Sequence, residues 1–248
     1  MKLPFALALA LAVAIPCAPG LAAAAAASGT PASANERTPF QARCEDTIGE
    51  SISVLSSRQN GYRVDNTYSF HGLTRMKGSR APGSYVLGLT RAESRVAIAV
   101  HGRMLQDPAS GYECVAPRLE VNLYYLPIVV YVGREFAPGT CAHREILAHE
   151  MRHLDVYREF LPQAEKVVSA ALARRFEGKP LYAPSGQARN LLQREIDTGW
   201  MPFIKKEMAK VEKLQAAIDT PQEYARLGKV CAGEVQSLIR PAKRKKTT

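Results

Sequence analysis

The run His149-Glu150-Met151-Arg152-His153 sets two imidazoles four positions apart, with a carboxylate directly after the first. A helix turns about 100° per residue, so positions i and i+4 stand one above the other on one face. Both rings can then bind one ion, and neutral imidazole nitrogen suits zinc at about 2.0–2.1 Å. Glu150 lies at the edge of that face, where a carboxylate reaches a metal-held water without binding the metal. This is the arrangement for amide hydrolysis. Zinc lowers the pKa of its water to about 7, and the carboxylate serves as general base and then hands the proton to the departing amine. Arg152 is unusual inside such a motif, because a cation beside a metal site opposes the ion. At about 100° from His153 around the helix it can point to solvent.

A catalytic zinc holds three protein ligands and one water, so a third ligand is needed. Glu195, Asp197, Glu177 and His143 are the candidates. His143 is about 240° from His149 around the helix and faces elsewhere. Chain length separates the others. A first helix that ends before Pro162, a second that returns to the metal level near 172 and a third that begins near 187 bring "QREID" to that level. The expected ligand is Glu195, with Asp197 next; the competing reading of Glu195 is a salt bridge. Tyr157, four residues past His153, shares the metal face and is expected to pack there with its hydroxyl at the rim. Asp155, about 200° from His153, is expected to anchor the helix through an arginine. His71 and His101 fall on expected strands as structural or exposed residues.

These residues need elements to hold them. Thr140 can cap a helix that begins at Cys141, after the break at Pro138-Gly139. Upstream, residues 44–136 read as strands. Val96, Ile98 and Val100 alternate with small or polar residues, as do Leu119, Val121 and Leu123. Residues 84–105 look like a hairpin turning at Ala92-Glu93, and 127–136 is apolar on both faces. Downstream of Thr140 the period is helical: about 141–161, then 163–178, then from near 187 to 218 with a kink at Pro202, then a short helix holding Cys231. A block of strands followed by a block of helices predicts an α+β fold with an N-terminal antiparallel sheet.

The chain has 248 residues, 46% hydrophobic and 23% charged, enough for a single sizeable core. Residues 1–29 combine Lys2, an apolar run and a small-residue stretch, which together read as a cleaved secretory signal. Cys17 as a lipid-bearing residue is the alternative, against which Pro16 argues. Residues 30–43 read as a linker, 44–239 as one domain and 240–248, "RPAKRKKTT", as a solvated basic tail. No stretch in the mature chain is long and apolar enough to be a transmembrane segment.

Export predicts a periplasmic or secreted protein, whose four remaining cysteines form two disulfides. The expected pairing is Cys114 with Cys141 and Cys44 with Cys231; their spacing is not that of a cysteine zinc site. The formal charge of +10, or +9 once Lys2 is removed, favours diffuse contact with anionic envelope polymers and, in an exported chain, no specific nucleic acid. No GxSxG, P-loop or dinucleotide fingerprint is present, so those catalytic classes have no support.

The fifteen residues "LAHEMRHLDVYREFL" resemble the predicted secreted zinc-dependent proteases catalogued as a domain of unknown function, DUF922. The matching positions are His149, Glu150, His153, Leu154, Asp155 and Val156. The resemblance implies a zincin-like α+β domain with Zn2+ and a peptide or protein substrate. Two other readings stay open: a non-enzymatic, disulfide-stapled envelope module, and a zinc amidase acting on peptidoglycan peptides.

Overall fold

The structure, a computed structural model, describes residues 37–78 and 85–239. The expected signal segment and basic tail lie outside the described residues. Within them the fold is α+β, with mixed rather than purely antiparallel sheets.

Helix α1 (Pro39–Ile48) opens the described chain and takes in the last residues of the expected linker. Thr38 caps it and Pro39 sits in its first turn, where a missing N–H costs nothing. Strands β1 (Ile52–Gln59) and β2 (Tyr62–Asp65) follow, then α2 (Phe70–Lys77), β3 (Gly88–Arg91), the long hairpin β4 (Ser94–Asp107) and β5 (Tyr112–Tyr125), and β6 (Ile128–Val132). The first sheet has the order β1-β5-β4, and the second β2-β6-β3. β1 runs parallel to β5 and β2 parallel to β6, so two parallel pairings interrupt the expected antiparallel sheet. The turn at Ala92-Glu93 is a corner and not a hairpin: β3 pairs with β6 in one sheet, β4 with β5 in the other.

Helix α3 (Cys141–Phe176) lies across both sheets. Leu119, Val121 and Leu123 point inward from β5 and pack against its Leu154, Phe160, Leu161, Ala164 and Val168. The expected stop before Pro162 does not occur. Proline removes one N–H and frees the carbonyl four residues back, at a cost of about 3 kcal/mol. Here that carbonyl, Arg158 O, accepts from Gln59 Nε2 of β1 at 3.0 Å. Buried residues continue at helical spacing on both sides of the proline, so the packed stripe carries the helix through.

After α3 come β7 (Leu181–Pro184), which pairs with β5, and α4 (Ala188–Glu195). A π-turn (Ile196–Trp200) leads into α5 (Met201–Ala209) and α6 (Val211–Ala216). Helix α7 (Pro221–Lys229), a 3-10 turn (Cys231–Gly233) and α8 (Glu234–Ile239) close the fold.

Two disulfides form, with pairings other than expected: Cys44 joins Cys114 and Cys141 joins Cys231. The first fastens α1 to β5, because α1 packs on the first sheet rather than against the C-terminus. The second fastens the start of α3 to the segment after α7. Among the described residues no helix is long and apolar enough to cross a membrane.

Candidate metal centre

His149 and His153 stand one turn apart on α3 and are buried, as the i, i+4 spacing predicts. Their Nε2 atoms are 3.2 Å apart. Asp219, from the loop between α6 and α7, brings Oδ1 to 3.2 Å from His149 Nε2 and 3.3 Å from His153 Nε2. These three atoms form a nearly equilateral triangle. A tetrahedron of four ligands at about 2.0 Å has edges of about 3.3 Å, so the triangle matches one face of a zinc coordination shell. Neutral imidazole and carboxylate are the ligand types zinc takes.

Each imidazole is fixed from behind. His153 Nδ1 is 2.5 Å from Gln215 Oε1, and Gln215 Nε2 donates back to His153 O at 3.0 Å. His149 Nδ1 is 3.2 Å from Glu223 Oε1 on α7. Arg226 donates to both Glu223 oxygens at 3.1 and 2.9 Å, and Arg152 also pairs with Oε1. Above all the Arg226 hydrogen bonds hold the Glu223 carboxyl down at about 2, against a burial that would raise it. Arg152 therefore does not merely point to solvent: it reaches across to α7. Asp219 is held well below the usual carboxylate range, chiefly by its contacts with His149 and His153, and its Oδ2 pairs with Lys77 at 3.2 Å.

Glu150 is buried beside the triangle but is not one of its members. Thr90 Oγ1 donates to its carboxylate at 2.9 Å. Burial raises its pKa, which suits a proton acceptor. Gly88 makes room for it: a Cβ there would sit 2.6 Å from Glu150 Cγ. Both residues come from β3, an edge strand of its sheet. Leu87 O already accepts from Gly133 N of the β6 side at 2.8 Å. Backbone groups alternate along an antiparallel pair, so those of Gly88 and Thr90 face the other way, along an edge that no described strand pairs with.

Triangle, Glu150 and strand edge line one cavity of about 990 Å³. Tyr224 of α7 lines it too, kept protonated by burial and by the Asp219 carboxylate. Leu227 and Val235 contribute an apolar wall. Tyr157 also lines it, while its ring packs edge-on against Tyr125 with centroids 5.2 Å apart and burial pushes its hydroxyl up to about 12.

The remaining sequence candidates lie elsewhere. Glu195 binds Arg175 through both oxygens, at 2.9 and 2.7 Å, and accepts from the Trp200 indole at 3.1 Å. It is absent from the cluster because α3 runs unbroken through Pro162 and carries the chain past the level of His149 and His153 before it turns. Asp197 accepts from Gln193 at 3.0 Å, and Glu177 is an exposed cap residue of α3. His143 is buried by itself, which lowers its pKa. Asp155 is exposed, 3.9 Å from Arg158. His71 lies on α2 rather than on the expected strand, exposed, tilted against Phe70 and edge-on to Tyr85, and His101 is exposed on β4. A second cluster, Cys141, Cys231 and Glu234, holds its cysteines in a disulfide and so offers no thiolate.

Asp219 and Glu223 are the functional candidates that sequence reasoning missed. A signal was present: Thr220-Pro221-Gln222-Glu223 is a helix-start signature, and Thr220 Oγ1 does accept from Glu223 N at 3.1 Å. Read as a helix start, it brings two acids to one helix N-terminus.

No family model, curated protein or solved structure matches this chain.

Proposed function

We propose that the chain is an exported zinc-dependent peptidase, with His149, His153 and Asp219 as ligands and Glu150 as general base. The observation that carries this reading is the triangle of ligand atoms 3.2 to 3.3 Å apart beside a buried carboxylate that is not part of it. Asp219 replaces Glu195 as the third ligand. The fifteen-residue resemblance to secreted zinc-dependent proteases and the two disulfides, which suit an oxidising compartment, point the same way. Bound zinc would supply a water acidic enough to ionise near neutral pH and a Lewis acid for the carbonyl oxygen.

The chain's own groups do the rest. An extended peptide adds to the outer edge of β3 through the backbone groups of Gly88 and Thr90, which sets its carbonyl over Glu150. Glu150 takes the proton of the attacking water as the C–O bond forms. It returns that proton to the amine nitrogen as the C–N bond breaks. The Thr90 hydroxyl holds the carboxylate in place throughout. Tyr224, protonated and facing the cavity, donates to the developing oxyanion.

The test is metal content and hydrolysis together. Protein purified without chelator should carry about one zinc per chain, matching one closed ligand set. It should also cleave unstructured polypeptide, and a chelator should stop the cleavage. Protein that takes up no zinc, or binds it without hydrolysing any peptide, would overturn the reading.

A further inference from the structure

We propose that Glu223, clamped by Arg152, is a positioning residue that fixes the tautomer of His149 for metal binding. The inference rests on the zinc reading above and assigns roles to two residues outside the ligand set, one of them the cation inside the HExxH motif.

A neutral imidazole carries one N–H. His149 turns Nε2 toward Asp219 and His153, so for Nε2 to offer a lone pair the hydrogen must sit on Nδ1. That hydrogen then needs an acceptor in a buried place. Glu223 Oε1, 3.2 Å from Nδ1, is that acceptor. Arg152 Nη2 also lies 2.9 Å from Nδ1; a guanidinium only donates, so that contact belongs to the other tautomer, with the hydrogen on Nε2, which a metal held at Nε2 excludes. The two donors converge instead on Oε1, with which Arg152 also pairs.

Glu223 has little freedom to be elsewhere. Its backbone N–H is tied to Thr220, and Arg226 grips both its oxygens while reaching Glu145 of α3 at 2.6 Å. Two cations thus hold the carboxylate in line with the ring. His153 is backed differently, by the neutral amide of Gln215. The site is therefore asymmetric: one ligand imidazole leans on a charge and the other on a dipole. A carboxylate behind an imidazole raises its basicity as well as orienting it. On this view Arg152 does not oppose the ion, because its charge is spent on Glu223 one step behind the ligand.

A brace between α7 and α3 would use the same contacts, so the test must separate orientation from bracing. Zinc affinity is measured by chelator competition on the exported chain, alongside the imidazole N–H resonances of the zinc-loaded protein. Glu223→Ala should weaken zinc about 10–100-fold and speed exchange of the His149 N–H while leaving that of His153 unchanged. Glu223→Gln keeps an acceptor oxygen and should restore most of the affinity. Arg152→Leu should weaken zinc by less, in the same direction, and serves as the second variant should Glu223→Ala fold poorly. If Glu223→Ala binds zinc as tightly as wild type, or Glu223→Gln as weakly as Glu223→Ala, the positioning role is wrong while the zinc reading stands. Equal changes at the two N–H resonances would show bracing alone. A wild-type protein without zinc would remove the reading and this inference with it.

Discussion

Helix α3 meets an acid from a later helix or loop near each of its ends. Toward the N-terminus, Asp219 approaches His149 and His153; toward the C-terminus, Glu195 approaches Arg175. Both acids are partly buried and near α3, so proximity does not separate them. What they face does. Glu195 meets a fixed cation in a two-point pair and an indole N–H, so its oxygens are already matched by donors. Asp219 Oδ1 instead joins two imidazole nitrogens, each of which donates or accepts according to its tautomer. Where both nitrogens accept, three acceptors within 3.3 Å of one another repel unless a proton or cation lies between them. A carboxylate already matched by donors is structural; on the zinc reading proposed above, one that converges with two imidazoles is a ligand.

That contrast is sharpest in what removal should do. Glu150→Gln keeps shape and ligand set but removes the base, so the protein should hold zinc and lose at least about 100-fold in peptide hydrolysis. His153→Ala removes a ligand and should lose zinc and hydrolysis together. Metal analysis beside a peptide-cleavage assay reads both. Wild-type hydrolysis by Glu150→Gln would refute the mechanism whatever the metal content.

Asp219→Ala comes next. With one of three protein ligands gone, chelator competition should show a large fall in zinc affinity. Retained affinity would mean that the triangle is a hydrogen-bonded cluster and not a coordination face.

A smaller effect is expected above the base. At Gly88 a Cβ would lie 2.6 Å from Glu150 Cγ and 2.7 Å from Oε1, closer than packed atoms allow. Gly88→Ala should therefore push the carboxylate off Thr90. The expected outcome is a roughly tenfold loss of kcat with zinc bound as before, since modest misplacement of a reacting group is costly. Unchanged kcat would show that Glu150 works from another position.

The legible part of this site lay within one helix. His149, Glu150 and His153 follow from the turn angle, and the strands-then-helices order showed the class. What was not legible depended on contacts between distant segments. Gln59 of β1 relieves the carbonyl freed by Pro162, and nothing local to residue 162 says so. That relief changed the helix count and with it the level at which each later acid returns. The two disulfides formed as expected, but their pairing was not legible for a related reason: the parallel pairing of β1 with β5 is a through-space fact, and with it Cys44 lands beside Cys114. Arg152 looked like an obstacle because its partner, Glu223, is 71 residues away.

The smallest effect should come from Glu195, and it closes the comparison. Its carboxylate spans from Arg175 to Trp200, and the interval from 195 to 200 is the same five-residue step that the π-turn makes when Met201 N–H bonds to Ile196 O. Glu195 therefore helps hold an irregular turn rather than a metal. The pair with Arg175 is partly exposed, with side chains 41% and 31% accessible, so solvent screens much of its attraction. Glu195→Ala should cost about 1 kcal/mol in denaturant unfolding, from one screened ion pair and an indole left to water. Zinc affinity and peptide cleavage should stay at wild-type values. A Glu195→Ala protein that unfolds normally but has lost its zinc would restore Glu195 as the third ligand and make Asp219 the structural acid.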